Sequence, residues 1–206
     1  MPYRRSRGAG LTPSERRFLR HLEPPWRIQK YLDGIDYDVE GKGCRSPRRV
    51  LEERRVQCMD GALFAAAALR EQGHPPLIVD LEAVNDADHV IAVFRVDGRW
   101  GSVARSNFSG LRYREPMFGT IRELVLSYFE SYFNLRREKT LRRYSRPQDL
   151  SRFDGRHWMS AEEDLWYIAE HLVGVRHYPI LRLRQEKTLG AVDRRMFAAG
   201  LVGQVT

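Results

Sequence analysis

The sequence predicts an α+β domain in which one buried helix packs on an antiparallel sheet. Three observations point there. The stretch "CMDGALFAAAALREQG" (58–73) is apolar and alanine-rich, and it ends at a glycine followed by Pro75-Pro76. Two β-branched runs follow, "LIVDLEAV" (77–84) and "HVIAVFRV" (89–96). Asp97-Gly98 then separates the second run from "RWGSVARS" (99–106), and Asp-Gly between strand-like runs signals a two-residue hairpin.

The flanking segments read as helices. In "LTPSERRFLRHL", Thr12 caps, Pro13 occupies the first helical position and Glu15 completes a capping box. "PWRIQKYLDGI" and "SPRRVLEERR" give two more helices, so residues 1–50 form a helical N-terminal extension. After the sheet, "FGTIRELVLSYFESYFN" (118–134) presents Ile121, Leu124, Val125, Tyr128, Phe129, Tyr132 and Phe133 at helical spacing, a core-facing stripe. "TLRRYSRP" predicts an edge strand ended by Pro147, and "HWMSAEEDLWYIAEHLVGV" a helix capped by Ser160 with Glu163 three later. Residues 118–206 are thus expected as a helical C-terminal elaboration of one domain spanning 1–206, ending in a helix or a loose tail.

The chain has 206 residues, 42% of them hydrophobic, enough for one full core. It contains no apolar run long enough for a membrane span, and no apolar segment follows the basic N-terminus, so a cytoplasmic location without membrane contact is expected. Cys44 and Cys58 are too few for a disulfide scaffold and are expected as thiols. The formal net charge of +8 rests mainly on arginine, but in scattered pairs such as Arg48-Arg49 and Arg142-Arg143 beside acidic residues. That pattern suits solvated helix faces, so charge alone disfavours nucleic acid as a partner without excluding it.

Cys58 stands where the unpaired N–H groups of a helix N-terminus favour a thiolate and can hold an oxyanion. The competing reading is a buried structural thiol. Among the six histidines, His89 begins a strand directly after the polar loop "NDAD", the place from which a base can face a helix N-terminus. Gln57 is positioned to donate its amide to the oxyanion, and Asp60 to serve the helix N-terminus.

The pattern C-x-D-G-A-x-x-x-x-x-x-L-R-x-x-G, then "LIVDL", then "DHVIAVFRVDGRWG", resembles the transglutaminase-like superfamily of papain-type cysteine enzymes over residues 56–107. The resemblance implies a papain/transglutaminase-like core, with Cys58 as nucleophile and His89 as base and proton shuttle. It departs at the third catalytic residue: the family's Asp comes about four residues beyond a Trp, and four beyond Trp100 stands Ala104. Counting outward from the Asp97-Gly98 turn puts Ser106 opposite His89, and a bulge would put Asn107 there. Asn107 is preferred as orienter, with Ser106 the alternative, because a carboxamide oxygen accepts well from an imidazole N–H.

Two functions follow. One is acyl transfer through a Cys58 acyl-enzyme, with hydrolysis of a peptide, protein or small amide substrate favoured because nothing marks an amine site. The other is a catalytically inactive transglutaminase-like binding module whose basic surface meets an acidic partner or nucleic acid. Neither implies a cofactor, and one Cys/His pair is too sparse for a metal site.

Overall fold

The computed structural model describes residues 10–206. Helix α1 (Pro13–His21) opens with the expected box: Thr12 caps Glu15 N at 3.3 Å while the Glu15 carboxylate returns to Thr12 N. Helix α2 (Trp26–Asp33) and helix α3 (Pro47–Glu53) follow, α3 capped by Ser46. Two short strands, β1 (Asp36–Tyr37) and β2 (Arg55–Val56), pair in parallel just ahead of helix α4 (Cys58–Glu71). Helix α4 is buried from Met59 to Glu71, because its sequence is apolar nearly all round and α1, α2 and α3 cover the side away from the sheet.

The main sheet contains β3 (Leu77–Ala83), β4 (His89–Val96), β5 (Arg99–Val103), β6 (Arg114–Phe118), β7 (Leu141–Ser145), β8 (Gln148–Asp149) and β9 (His177–Pro179). Its order is β6-β5-β4-β3-β7-β9, with β8 also paired to β3, and every pairing is antiparallel. Asp97 and Gly98 both have positive φ, 47° and 78°, so the β4–β5 turn is of type I′ and Val96 faces Arg99. Alternation then divides the central strands. Ile78, Val90, Ala92, Phe94 and Val103 face α4, whereas Val79, Leu81, Ile91 and Val93 face a second core under helix α5 (Ile121–Leu126).

Several expectations are corrected. The strand expected over 99–106 ends at Val103, and "REPMF" forms an unanticipated strand, β6. The stripe over 118–134 is not one helix: α5 ends at Leu126 and a 3-10 turn occupies Phe129–Ser131. Buried tyrosine hydroxyls need partners, and Tyr128 finds Arg112 O at 2.6 Å while Tyr132 finds Ala87 O at 2.8 Å, positions a continuous helix would not reach together. Strand β7 is interior, flanked by β3 and β9. Helix α6 (Trp166–Gly174) starts late, because Asp164 is drawn to Cys44 N and Arg49 and Leu165 N to Cys44 O; Ser160 caps nothing there. Segment 118–206 therefore supplies three strands of the sheet, and its end carries helices α7 (Leu183–Glu186) and α8 (Arg194–Gly200). Among the described residues, no helix is long and apolar enough to cross a membrane.

The N-terminus of α4 is fastened by a buried ion network. Asp60 accepts from Arg45 N (2.7 Å), Arg45 Nη1 (3.1 Å) and Gln57 N (3.2 Å), while Arg45 also pairs with Asp38 (2.7 Å) and Glu53 (2.6 Å). Removing one member of a buried network strands the other charges. Arg45→Ala is expected to cost about 3–5 kcal/mol in urea unfolding, whereas Lys42→Ala, at the exposed Lys42–Glu40 pair, is expected to cost under about 1 kcal/mol.

Candidate active site

Cys58 lies in the first turn of α4, where the helix meets β4. The β4–β5 ladder begins at Ala92↔Val103, so the two strands have already parted at Val90. The Cys58 sulfur takes up this gap: the Val90 and Met59 N–H groups both lie against it, and the thiol donates to Gln57 Oε1 at 3.6 Å. The side chain is partly open to solvent but densely surrounded. Close approach on the other side depends on Gly61, since a Cβ there would come within 2.6 Å of Arg105 Cβ. The glycine of "CMDGA" thus lets the 103–106 segment pass against the helix.

The structure brings Cys58 to Val90, the residue adjoining His89. The His89 ring belongs to the other face of β4, in line with Ile91 and Val93, and its centroid is 6.4 Å from that of Tyr132. His89 Nε2 lies 3.2 Å from Leu111 O. A carbonyl only accepts, so Nε2 carries the hydrogen and Nδ1 is left with its lone pair. His89 makes no other side-chain hydrogen bond among the described residues. Tyr132 steadies this arrangement by holding Ala87 O, two residues before His89.

The expected orienting residues are not at the imidazole. The ladder that would set Ser106 opposite His89 ends three residues short, and the Ser106 hydroxyl instead accepts from Phe108 N at 3.0 Å. The Asn107 carboxamide is taken up by Val205, donating to its carbonyl (2.8 Å) and accepting from its N–H (2.9 Å). Neither joins His89; the Leu111 carbonyl does. Gln57 adjoins the sulfur, but its Nε2 donates to Gly43 O at 3.0 Å, which commits one amide hydrogen to the 38–46 loop. Asp60 accepts Gln57 N and so does serve the helix N-terminus.

Electrostatics at the pair run against a resting thiolate. Burial pushes the Cys58 thiol up to about 11; the Val90 and Met59 N–H groups oppose this, and Asp60 and Asp80 add to it. Burial likewise lowers His89 to about 4, assisted by Arg114 and opposed by the Leu111 bond. Asp60 is raised to about 6 by its burial, in spite of Arg45. Near neutral pH Cys58 is a thiol and His89 a neutral imidazole.

Leu111 and Tyr132 were missed as site residues. A main-chain carbonyl has no side-chain signature, and Tyr132 reads as one more member of an apolar stripe. No protein-family model matches the chain, and no curated protein matches it.

Because folding holds His89 near 4 against an unperturbed 6.5, the unfolded chain takes up this proton first as pH falls. Stability from this group is therefore complete above pH 6.5 and lost as pH falls toward 4, by about 3 kcal/mol. His89→Gln is expected to flatten the acid limb of urea-unfolding stability over that window. Nitrogen-15 spectra of the wild-type imidazole provide a second readout, with Nε2 protonated and Nδ1 bare at pH 7.

Proposed function

We propose that the protein is a cysteine-dependent acyl-transfer enzyme with a papain-type, transglutaminase-like core, and that it hydrolyses an amide or peptide bond. The observation that carries this reading is the Cys58 sulfur held at a helix N-terminus against Val90, with His89, whose tautomer is fixed by Leu111 O, the adjoining residue of the strand. With a neutral resting pair, Nδ1 of His89 removes the thiol proton as the sulfur bonds to the substrate carbonyl carbon. The resulting oxyanion is held by N–H groups of the first turn of α4, with Cys58 N the nearest in sequence. The imidazolium then passes its proton to the leaving amine as the C–N bond breaks. Water, deprotonated by the same imidazole, releases the acyl group as acid and restores the thiol.

A carbonyl stabilises an imidazolium less than a carboxylate does, and a wrongly supported histidine costs serine proteases about 10⁴ in rate. Slow turnover is therefore expected. The same lack of a carboxylate at His89 favours the second reading, a transglutaminase-like module that binds without catalysing.

Incubation with an activated acyl ester, followed by intact-mass analysis, separates the two. An acyl adduct absent from Cys58→Ala, and formed roughly 10²–10⁴-fold more slowly in His89→Ala, is expected for the enzyme. The acylation rate should rise with pH through about 4 as His89 loses its proton. Acylation indifferent to both substitutions would overturn the catalytic reading in favour of the binding module.

A further inference from the structure

Beyond the candidate active site, a cleft of about 340 Å³ opens between the turn at residues 134–138, the β3–β4 loop and the stretch after α7. Arg136, Arg137, Lys139 and Arg142 line it, against only two carboxylates, Glu138 and Glu186. Three cations are engaged: Arg136 with Glu138 (3.1 Å), Arg142 with Glu186 (3.5 Å), and Lys139 with Glu130 (2.6 Å), which lies outside the lining. The Arg137 guanidinium makes no hydrogen bond or ion pair among the described residues.

The backbone beneath Arg137 is nevertheless fixed. Its φ is +63°, its N–H donates to Asn134 O (2.9 Å) and its carbonyl accepts from Val192 N (2.9 Å). The buried Asn134 carboxamide braces the same turn, accepting from Arg136 N (3.0 Å) and Glu138 N (3.1 Å) and donating to Asn85 O (3.3 Å). A non-glycine residue in the left-handed region is a local cost, here maintained by these five hydrogen bonds around an uncommitted cation. On the facing wall, the exposed Gly190 and Ala191 add main-chain N–H groups with no intramolecular acceptor among the described residues.

We infer that this cleft binds a phosphate-monoester group, with the Arg137 guanidinium as its principal ligand. A monoester presents three terminal phosphoryl oxygens, and Arg137, the one lining cation without a carboxylate partner, together with the Gly190 and Ala191 N–H groups offers donors to all three. A carboxylate or a single phosphodiester offers only two such oxygens. The guanidinium fork suits two phosphoryl oxygens, and the volume leaves room for part of the molecule that carries the phosphate. Neither Cys58 nor His89 lines the cleft, so the site stands independently of acyl transfer.

Thermal unfolding in rising inorganic phosphate, against chloride at matched ionic strength, tests this. Phosphate alone is expected to raise Tm. Arg137→Ala, which removes no intramolecular bond of the side chain, should keep the basal Tm and weaken phosphate at least about tenfold. Arg17→Ala on exposed α1 should behave as wild type. An oligothymidylate lacking a terminal phosphate should not compete. Equal shifts with phosphate and chloride, or an unchanged response in Arg137→Ala, would overturn the assignment. Oligothymidylate binding lost in Arg137→Ala, without competition by inorganic phosphate, would give the cleft to a phosphodiester chain and overturn it as well.

Discussion

A helix buried on every side has to satisfy its first turn without water, and most of this structure follows from that requirement at α4. The apolar run 59–69 packs between the helical layer and β4, which removes solvent from the N-terminal N–H groups. Asp60 answers for Gln57 N, and its own burial requires Arg45. Arg45 in turn gathers Asp38 and Glu53, so one ion network ties the 38–46 loop and α3 to the start of α4. The sulfur of Cys58 lies against a helix N–H and the strand N–H that β5 leaves free, and donates to Gln57 Oε1.

The same burial sets the chemistry. A helix N-terminus favours a thiolate, but desolvation acts more strongly here and leaves thiol and imidazole both neutral. The proposed reaction therefore calls on a base that takes the proton during bond formation, not on a thiolate formed in advance. The bond from His89 Nε2 to Leu111 O matters for that reason, because it leaves Nδ1 bare. Binding at the basic cleft draws on the opposite property, an exposed excess of charge on a turn whose backbone is already ordered.

Local chemistry in the sequence was legible where a single short-range rule decided the outcome. Thr12-Pro13 with Glu15, Ser46-Pro47, Asp97-Gly98 and the strand over 89–96 all appear as their residues imply. Legibility failed where a distant partner overrode local spacing. Tyr128 and Tyr132 belong to a helical stripe, yet their hydroxyls seek main-chain acceptors on separate loops and the helix stops at Leu126. Asn107 is chemically suited to orient an imidazole, but its carboxamide matches the two main-chain groups of Val205, almost a hundred residues away in sequence.

By itself the sequence determined an α+β chain, a buried helix headed by Cys58 and a strand headed by His89, since periodicity, capping residues and turn chemistry act over a few residues. Tertiary structure alone decided where those two heads lie, because packing of α4 on β4 takes the sulfur to Val90 while strand alternation turns the His89 ring to the other face, with Ile91 and Val93. It also decided what holds the imidazole. A main-chain carbonyl is present at every residue, so its sequence carries no mark of the one that folding delivers to His89.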